Sequence, residues 1–166
     1  MFNWMKNLEL KKKPVILDVG ANIGMFSLSY ACIFNEAEIH SFEPVSFIYN
    51  DLCQNLKINP NLSKNIHPYN FGFSNCEEKK QLSIPIPEQH QRYSNNIDNR
   101  LFSIFGKGED KFEAEFVPID LWIEQFKITA VDFIKIDVEG YEYSVLEGSI
   151  KTNLPKLNIH ILQHLS

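Results

Sequence analysis

The run Pro14-Val15-Ile16-Leu17-Asp18-Val19-Gly20-Ala21-Asn22-Ile23-Gly24 decides how the rest of the chain is read. Pro14 to Val19 is a short apolar run, which predicts a strand covered on both faces. Gly20 and Gly24 then permit a tight turn and a close approach of backbone to a ligand. Residues Ile23 to Phe34 carry no charge and predict a buried helix, whose first N–H groups point back at the same turn.

Outward from this unit the pattern repeats. Glu38 to Phe42 predicts a second strand, stopped by Glu43-Pro44. Ile48, Leu52 and Leu56 fall at helical spacing and predict a helix over Val45–Ile58, ended by Asn59-Pro60-Asn61. A third strand is expected over Ile66–Phe71. Gln81–Ile86 alternates like a strand, and Pro85 and Pro87 confine it to an edge. Residues 88–110 are polar and irregular, a long insertion of the kind that is usually functional. Phe112–Val117 and Val131–Val138 predict strands. Asp120 is placed to cap a helix over Leu121–Phe126, and Tyr141–Leu146 predicts another, with Gly148 near its end. Leu157–Leu162 is the last expected strand. Alternating strands and helices at this spacing predict an α/β fold, doubly wound around a mostly parallel sheet. Residues 1–13 form a lead-in and residues 14–166 one domain, as suits 166 residues with 44% hydrophobic content.

Composition narrows the function. A net charge of −5, with Lys11-Lys12-Lys13 as the one basic triplet, lacks the footprint of a nucleic-acid binder. The longest clean apolar stretch, Met25–Phe34, falls short of the ~20 residues a bilayer requires. No signal-peptide pattern opens the chain. Cys32, Cys53 and Cys76 are widely spaced and odd in number, which fits reduced thiols and a cytoplasmic protein. His160 and His164 stand four apart, but on a strand-like stretch, so no metal is expected there.

The glycine turn and Glu43, nineteen residues beyond Gly24, suit a nucleoside, the acid accepting hydrogen bonds from ribose hydroxyls. A glycine turn that serves packing only is the alternative. The dinucleotide fingerprint fails, because Asn22 and Met25 stand where its second and third glycines belong. No Walker string occurs. Asp18 at the turn repels a pyrophosphate and suits a ligand with a cationic end, such as the amino-acid portion of S-adenosylmethionine.

Two blocks carry a family resemblance. Asp18-Val19-Gly20-Ala21-Asn22-Ile23-Gly24, followed by Phe42-Glu43-Pro44, resembles the opening of an FkbM-type S-adenosylmethionine-dependent methyltransferase. Ile134-Lys135-Ile136-Asp137-Val138-Glu139-Gly140-Tyr141-Glu142, followed by Val145-Leu146-Glu147-Gly148, resembles its second signature. Phe71–Asn75 and Pro118-Ile119-Asp120-Leu121 fit between them, so the similarity runs over about Val15 to Leu162. The resemblance implies a Rossmann-like class I methyltransferase fold, S-adenosylmethionine as cofactor, and methylation of a hydroxyl on a small molecule or sugar. It implies that Asp18, Gly20, Ala21, Asn22 and Gly24 surround the methionine end of the cofactor. It also implies that Glu43, followed by Pro44, binds the ribose and that adenine lies near Phe71–Ser74, with Phe71 and Ser74 as candidate contacts.

Period-2 alternation puts Lys135, Asp137 and Glu139 on one face at the carboxyl end of a strand, neighbours about 7 Å apart. Ligands in such sheets sit at that end, so these three are the catalytic candidates. A carboxylate there can place an acceptor hydroxyl and take its proton. In the structural alternative Asp137 caps the next helix and Lys135 pairs with a carboxylate. Asp137 and Glu139 have no third ligand in view, so no metal is expected. Tyr141 and Tyr143 are expected to pack rather than to touch substrate.

Compared with the family, the lead-in is short, Gln163 stands near the place of an acid, and the chain stops just after its fifth core strand. The sheet is therefore expected to be C-terminally shortened, its final hairpin missing and its last strand exposed to a second copy or a partner protein. Two functions fit these residues: a methyltransferase, and a non-catalytic nucleoside- or partner-binding remnant of the same fold.

Overall fold

The computed structural model describes residues 3–84, 110–150 and 158–161. Residues 85–109, which hold most of the irregular insertion with Pro85 and Pro87, lie outside the described residues. So do Pro155, Lys156, Leu157, Leu162, Gln163 and His164.

The central sheet is built from β1 (Val15–Val19), β2 (Glu38–Phe42), β3 (Ile66–Tyr69), β7 (Phe133–Ile136) and β8 (Asn158–Ile161). Its order is β3-β2-β1-β7-β8, and every neighbouring pair is parallel. Parallel strands need crossovers, and the helices supply them on both faces. On one face α1 (Met25–Ile33) and α2 (Ser46–Ile58) bring Tyr30, Leu52 and Leu56 onto Ile16, Ile39 and Phe133. On the other, α4 (Ile119–Phe126) and α5 (Glu142–Glu147) bring Ile119, Trp122 and Val145 onto Leu17, Val19, Ile134 and Ile136. The apolar run that opens the domain is buried along β1 because each face has its own core.

Several boundaries differ from the expectation, each for a local reason. α1 starts at Met25, not Ile23, because Asn22 (φ 52°) and Gly24 (φ 88°) are in the left-handed region. Asn59-Pro60 does end α2, but Pro60 at once opens a one-turn helix, α3 (Pro60–Ser63), at a position where its missing N–H is no loss. β3 stops at Tyr69. The Asn70 side chain then turns back to donate to the carbonyls of Glu43 (2.9 Å) and Pro44 (3.3 Å). Asp120 does not cap α4: Pro118 holds the N-cap position without a side-chain bond, and the Asp120 N–H donates to the Gly148 carbonyl at 3.0 Å. β7 ends at Ile136, two residues short, since Glu139 (φ 51°) and Gly140 (φ 96°) turn the chain.

A second sheet was not foreseen. β4 (Gly72–Phe73), β6 (Asp110–Val117) and β5 (Glu78–Ile84) pair in the order β4-β6-β5. β5 occupies the edge, as expected, but begins at Glu78 rather than Gln81. Leu82, Ala114 and Phe116 from this sheet pack on Val45 and Ile48, with Ile23 of the glycine turn beside them. The small sheet thus stands over the carboxyl ends of β1 and β2.

Candidate cofactor and active site

β2 lies on one side of β1 and β7 on the other, so the carboxyl end of β1 is the switch point where open α/β sheets bind ligands. The turn Gly20–Gly24 sits there. The N–H groups of Gly20 and Ala21 both donate to the Phe42 carbonyl, at 3.0 and 2.9 Å, and Gly24 N–H donates to Ala21. The turn is therefore tied down before it meets any ligand. Asn55 of α2 also holds it, its amide donating to the Ile23 carbonyl at 2.8 Å.

Packing explains both glycines. A Cβ on Gly20 would stand 2.0 Å from the Asp137 carbonyl oxygen, and one on Gly24 would stand 2.6 Å from Leu52 Cδ1. The two glycines also have φ of 75° and 88°, which side chains rarely adopt.

Glu43 follows the last residue of β2 and is 5% exposed. Its Oε2 accepts the Asn22 N–H at 3.0 Å and its Oε1 accepts the Val45 N–H at 2.9 Å. The carboxyl group therefore joins the glycine turn to the start of α2. Burial pushes its pKa from the ordinary value up to about 7, against the opposing pull of those two N–H groups and of the Lys135 ammonium. Pro44 touches the small sheet, where the space beyond Gly72 is bounded by Phe116 and Pro44.

Asp18 and Lys135 lie inside the protein, at 0% and 1% exposure. Lys135 Nζ is 3.0 Å from Asp18 Oδ1, an ion pair that lacks the direction of a hydrogen bond, and it donates to the Gly20 carbonyl at 2.8 Å. Asp137 Oδ2 is 3.8 Å from the same ammonium, and the Asp137 N–H donates to Val19 at 3.0 Å. The N-cap position of α5 is Tyr141, which makes no side-chain cap hydrogen bond. Glu139 has left the strand, so the shared face expected for Lys135, Asp137 and Glu139 is not kept through all three: Lys135 is buried, and the two acids are partly exposed.

Around the expected adenine position, Phe71 is half-buried in a ring cluster with Phe42 (5.6 Å), Tyr69 (5.7 Å) and Phe73 (5.9 Å). Ser74 is fully buried and its hydroxyl donates to Glu78 at 2.7 Å. Tyr141 packs near Phe116 with the Lys80 ammonium 4.1 Å from its ring centre, whereas Tyr143 is 73% exposed and does not pack as expected. A cleft of about 250 Å³ lies at the opposite rim, near the amino ends of β2 and β3, lined by Lys13, Glu36, Glu38, Asn65 and His67 among others. It is remote from the turn in the topology of a parallel sheet.

Ser27, Ser41, Asn55 and Asn70 escaped the sequence reading. Ser41 and Ser27 had a signal: Ser41 lies in a buried strand and Ser27 in a helix expected to be buried, of which only Ser27, Tyr30 and Ala31 are, and a buried hydroxyl needs a partner.

A parallel sheet of this order, with a glycine turn after β1 and an acid closing β2, is the architecture of the class I methyltransferases. The methyltransferase FkbM domain matches residues 18–164, and the chain belongs to that family. Methyltransferase sdnD of Sordaria araneosa is 28% identical over 160 residues, covering 84% of this chain and 61% of that protein. The 31-O-demethyl-FK506 methyltransferase FkbM of Streptomyces tacrolimicus is 25% identical over 175 residues, covering 90% and 65%. The crystal structure of methyltransferase FkbM from Methylobacillus flagellatus superimposes with a TM-score of 0.62 at 21% identity, over 96% of this chain and 36% of that one. The chain thus spans less than two thirds of the length of these relatives. Among the described residues, no helix is long and apolar enough to cross a membrane, and no three His, Cys, Asp or Glu side chains are grouped to hold a metal ion.

Proposed function

We propose that the chain binds S-adenosylmethionine and transfers its methyl group to a hydroxyl oxygen of a small molecule or sugar. The observation that carries this reading is the Glu43 carboxyl group, held at the switch point by the Asn22 and Val45 N–H groups. A carboxylate has about four lone-pair sites. Two are used by the backbone, so the group retains capacity for the two hydroxyls of a ribose. The Gly20–Gly24 turn would hold the methionine end, with Asp137 and Glu139 as the nearby acids for an ammonium or an acceptor hydroxyl.

The bound cofactor would supply an electrophilic methyl group, and this chain's residues would do the rest. The tied-down turn would hold the cofactor's methionine end in one position relative to the strand ends. Placing an acceptor oxygen in line with the methyl group provides much of the rate. Asp137, partly exposed just beyond β7, would accept the proton that the hydroxyl gives up as its oxygen takes the methyl group and the cofactor's sulfur–carbon bond breaks. Phe71 and its ring cluster offer an apolar surface for adenine.

Titration calorimetry with S-adenosylmethionine and S-adenosylhomocysteine tests the reading. We expect binding of both, and a loss of about 1–3 kcal/mol in Glu43→Ala, the scale of an unsatisfied polar partner. A folded sample that binds neither would sink the proposal. Binding without turnover across a panel of hydroxylated acceptors would instead favour a non-catalytic role.

A further inference from the structure

A row of polar side chains crosses the middle of the central sheet. Ser41, Asp18 and Lys135 are register partners on β2, β1 and β7. Two residues earlier on the same three strands stand Ile39, Ile16 and Phe133, all in the apolar core under α1. The polar row lies on that same face by strand alternation. Ser27 of α1 closes over it: its hydroxyl donates to Asp18 Oδ2 at 2.6 Å and shares a 2.7 Å hydrogen bond with Ser41. All four residues are buried.

An ion pair this deep is a weak source of stability, because desolvating the two charges offsets their attraction and an apolar pair often does as well. Its use is seen in what the ammonium reaches. Lys135 Nζ donates to the Gly20 carbonyl at the head of the glycine turn and stands 3.8 Å from the carboxylate of Asp137 at the next strand end. Asp18 and the Phe26 ring, 4.7 Å from the ammonium, keep it there. An apolar residue at 135 would hold neither the carbonyl nor the carboxylate.

We propose that Lys135 is a positioning residue of the cofactor site: anchored by Asp18, Ser27 and Ser41, its ammonium fixes the Gly20 carbonyl and the Asp137 carboxylate relative to each other. The site floor is then set before a ligand enters, which is what a preorganised site requires. Lys135 acts through these two groups and does not touch the acceptor. This inference rests on the S-adenosylmethionine reading above.

The test combines stability and affinity. Lys135→Met leaves Asp18 buried without its partner, and we expect its denaturation midpoint to fall clearly below wild type. Lys135→Met with Asp18→Asn removes both charges, and we expect the midpoint to recover. Its affinity for S-adenosylhomocysteine, by calorimetry, should still fall at least tenfold. Ser27→Ala keeps both charges and covers the case in which the double variant does not fold; its expected affinity is about threefold weaker. Wild-type affinity in the folded double variant, or in Ser27→Ala if the double variant does not fold, would overturn the positioning role alone. So would a Lys135→Met protein as stable as wild type. No binding by the wild-type chain would overturn this proposal and the cofactor reading together.

Discussion

The main-chain carbonyl of Asp137 occupies the space where a side chain on Gly20 would stand, 2.0 Å from an ideal Cβ. The turns that end β1 and β7 are thus packed back to back, and one sets the position of the other. Gly24 faces a softer neighbour, the tip of the Leu52 side chain at 2.6 Å. Both residues have positive φ, which costs an L-residue about 1–2 kcal/mol. We therefore expect Gly20→Ala to destabilise the fold by more than Gly24→Ala, because backbone yields less than a side-chain end. Urea denaturation of the two variants checks the order, and equal losses would contradict the packing account.

Glu43 and His40 give the fold opposite pH dependences. Glu43 keeps its proton in the fold up to about 7, whereas the unfolded chain releases it near 4.5. The folded state then binds more protons, so this group's contribution is full below about 4.5 and is lost as pH rises to about 7. Burial, with help from His67, pushes the pKa of His40 down to about 4 from 6.5. Glu38 is 3.4 Å from His40 but half exposed, so solvent screens it and burial prevails. Here the unfolded chain binds more protons, and stability is lost as pH falls from 6.5 towards 4. Between about 4.5 and 6.5 the two slopes oppose. Stability curves of Glu43→Gln should therefore rise with pH across that window, and those of His40→Phe should fall. The Glu43 contribution is on the order of 3 kcal/mol, from about 1.4 kcal/mol per pKa unit.

The same titration bears on the ligand. An ionised Glu43 accepts hydroxyl donors better than a protonated one. Affinity for S-adenosylhomocysteine is expected to rise as pH passes through about 7, and to lose that step in Glu43→Gln. Calorimetry at pH 6, 7 and 8 measures it. A flat profile in the wild type would separate Glu43 from the ribose.

Trp122 lies at the centre of the second core, 1% exposed, with ring contacts to His40 and Phe42 at 5.0 Å and to Phe126 at 5.5 Å. Trp122→Ala is expected to cost about 3–5 kcal/mol through the cavity it leaves. Trp122→Phe should cost far less, since it also removes a buried indole N–H that has no hydrogen-bond partner among the described residues. Chemical denaturation of both variants gives the comparison. A Phe variant as unstable as the Ala variant would show that the indole N–H is satisfied in solution.

The sequence by itself determined the central sheet. A strand covered on both faces is largely apolar, and Val15–Val19 and Phe133–Ile136 stand out for that reason, each with a single charged residue. It also determined the turn and the acid beyond it, because glycine spacing and an acid at a strand end are local features. Two of the boundaries it missed lie where left-handed residues intervene, at Asn22 and Gly24 before α1 and at Glu139 after β7. Only the tertiary structure decided the rest. The small sheet joins Gly72–Phe73 to strands as far along as Val117, a pairing no local pattern encodes. The surroundings of the acids and of Lys135 were decided there too. Asp18 and Lys135 are 117 positions apart, and nothing in the sequence marks them as partners of each other. Adjacent strands set them side by side in the interior, where low dielectric and the absence of water compel them to pair.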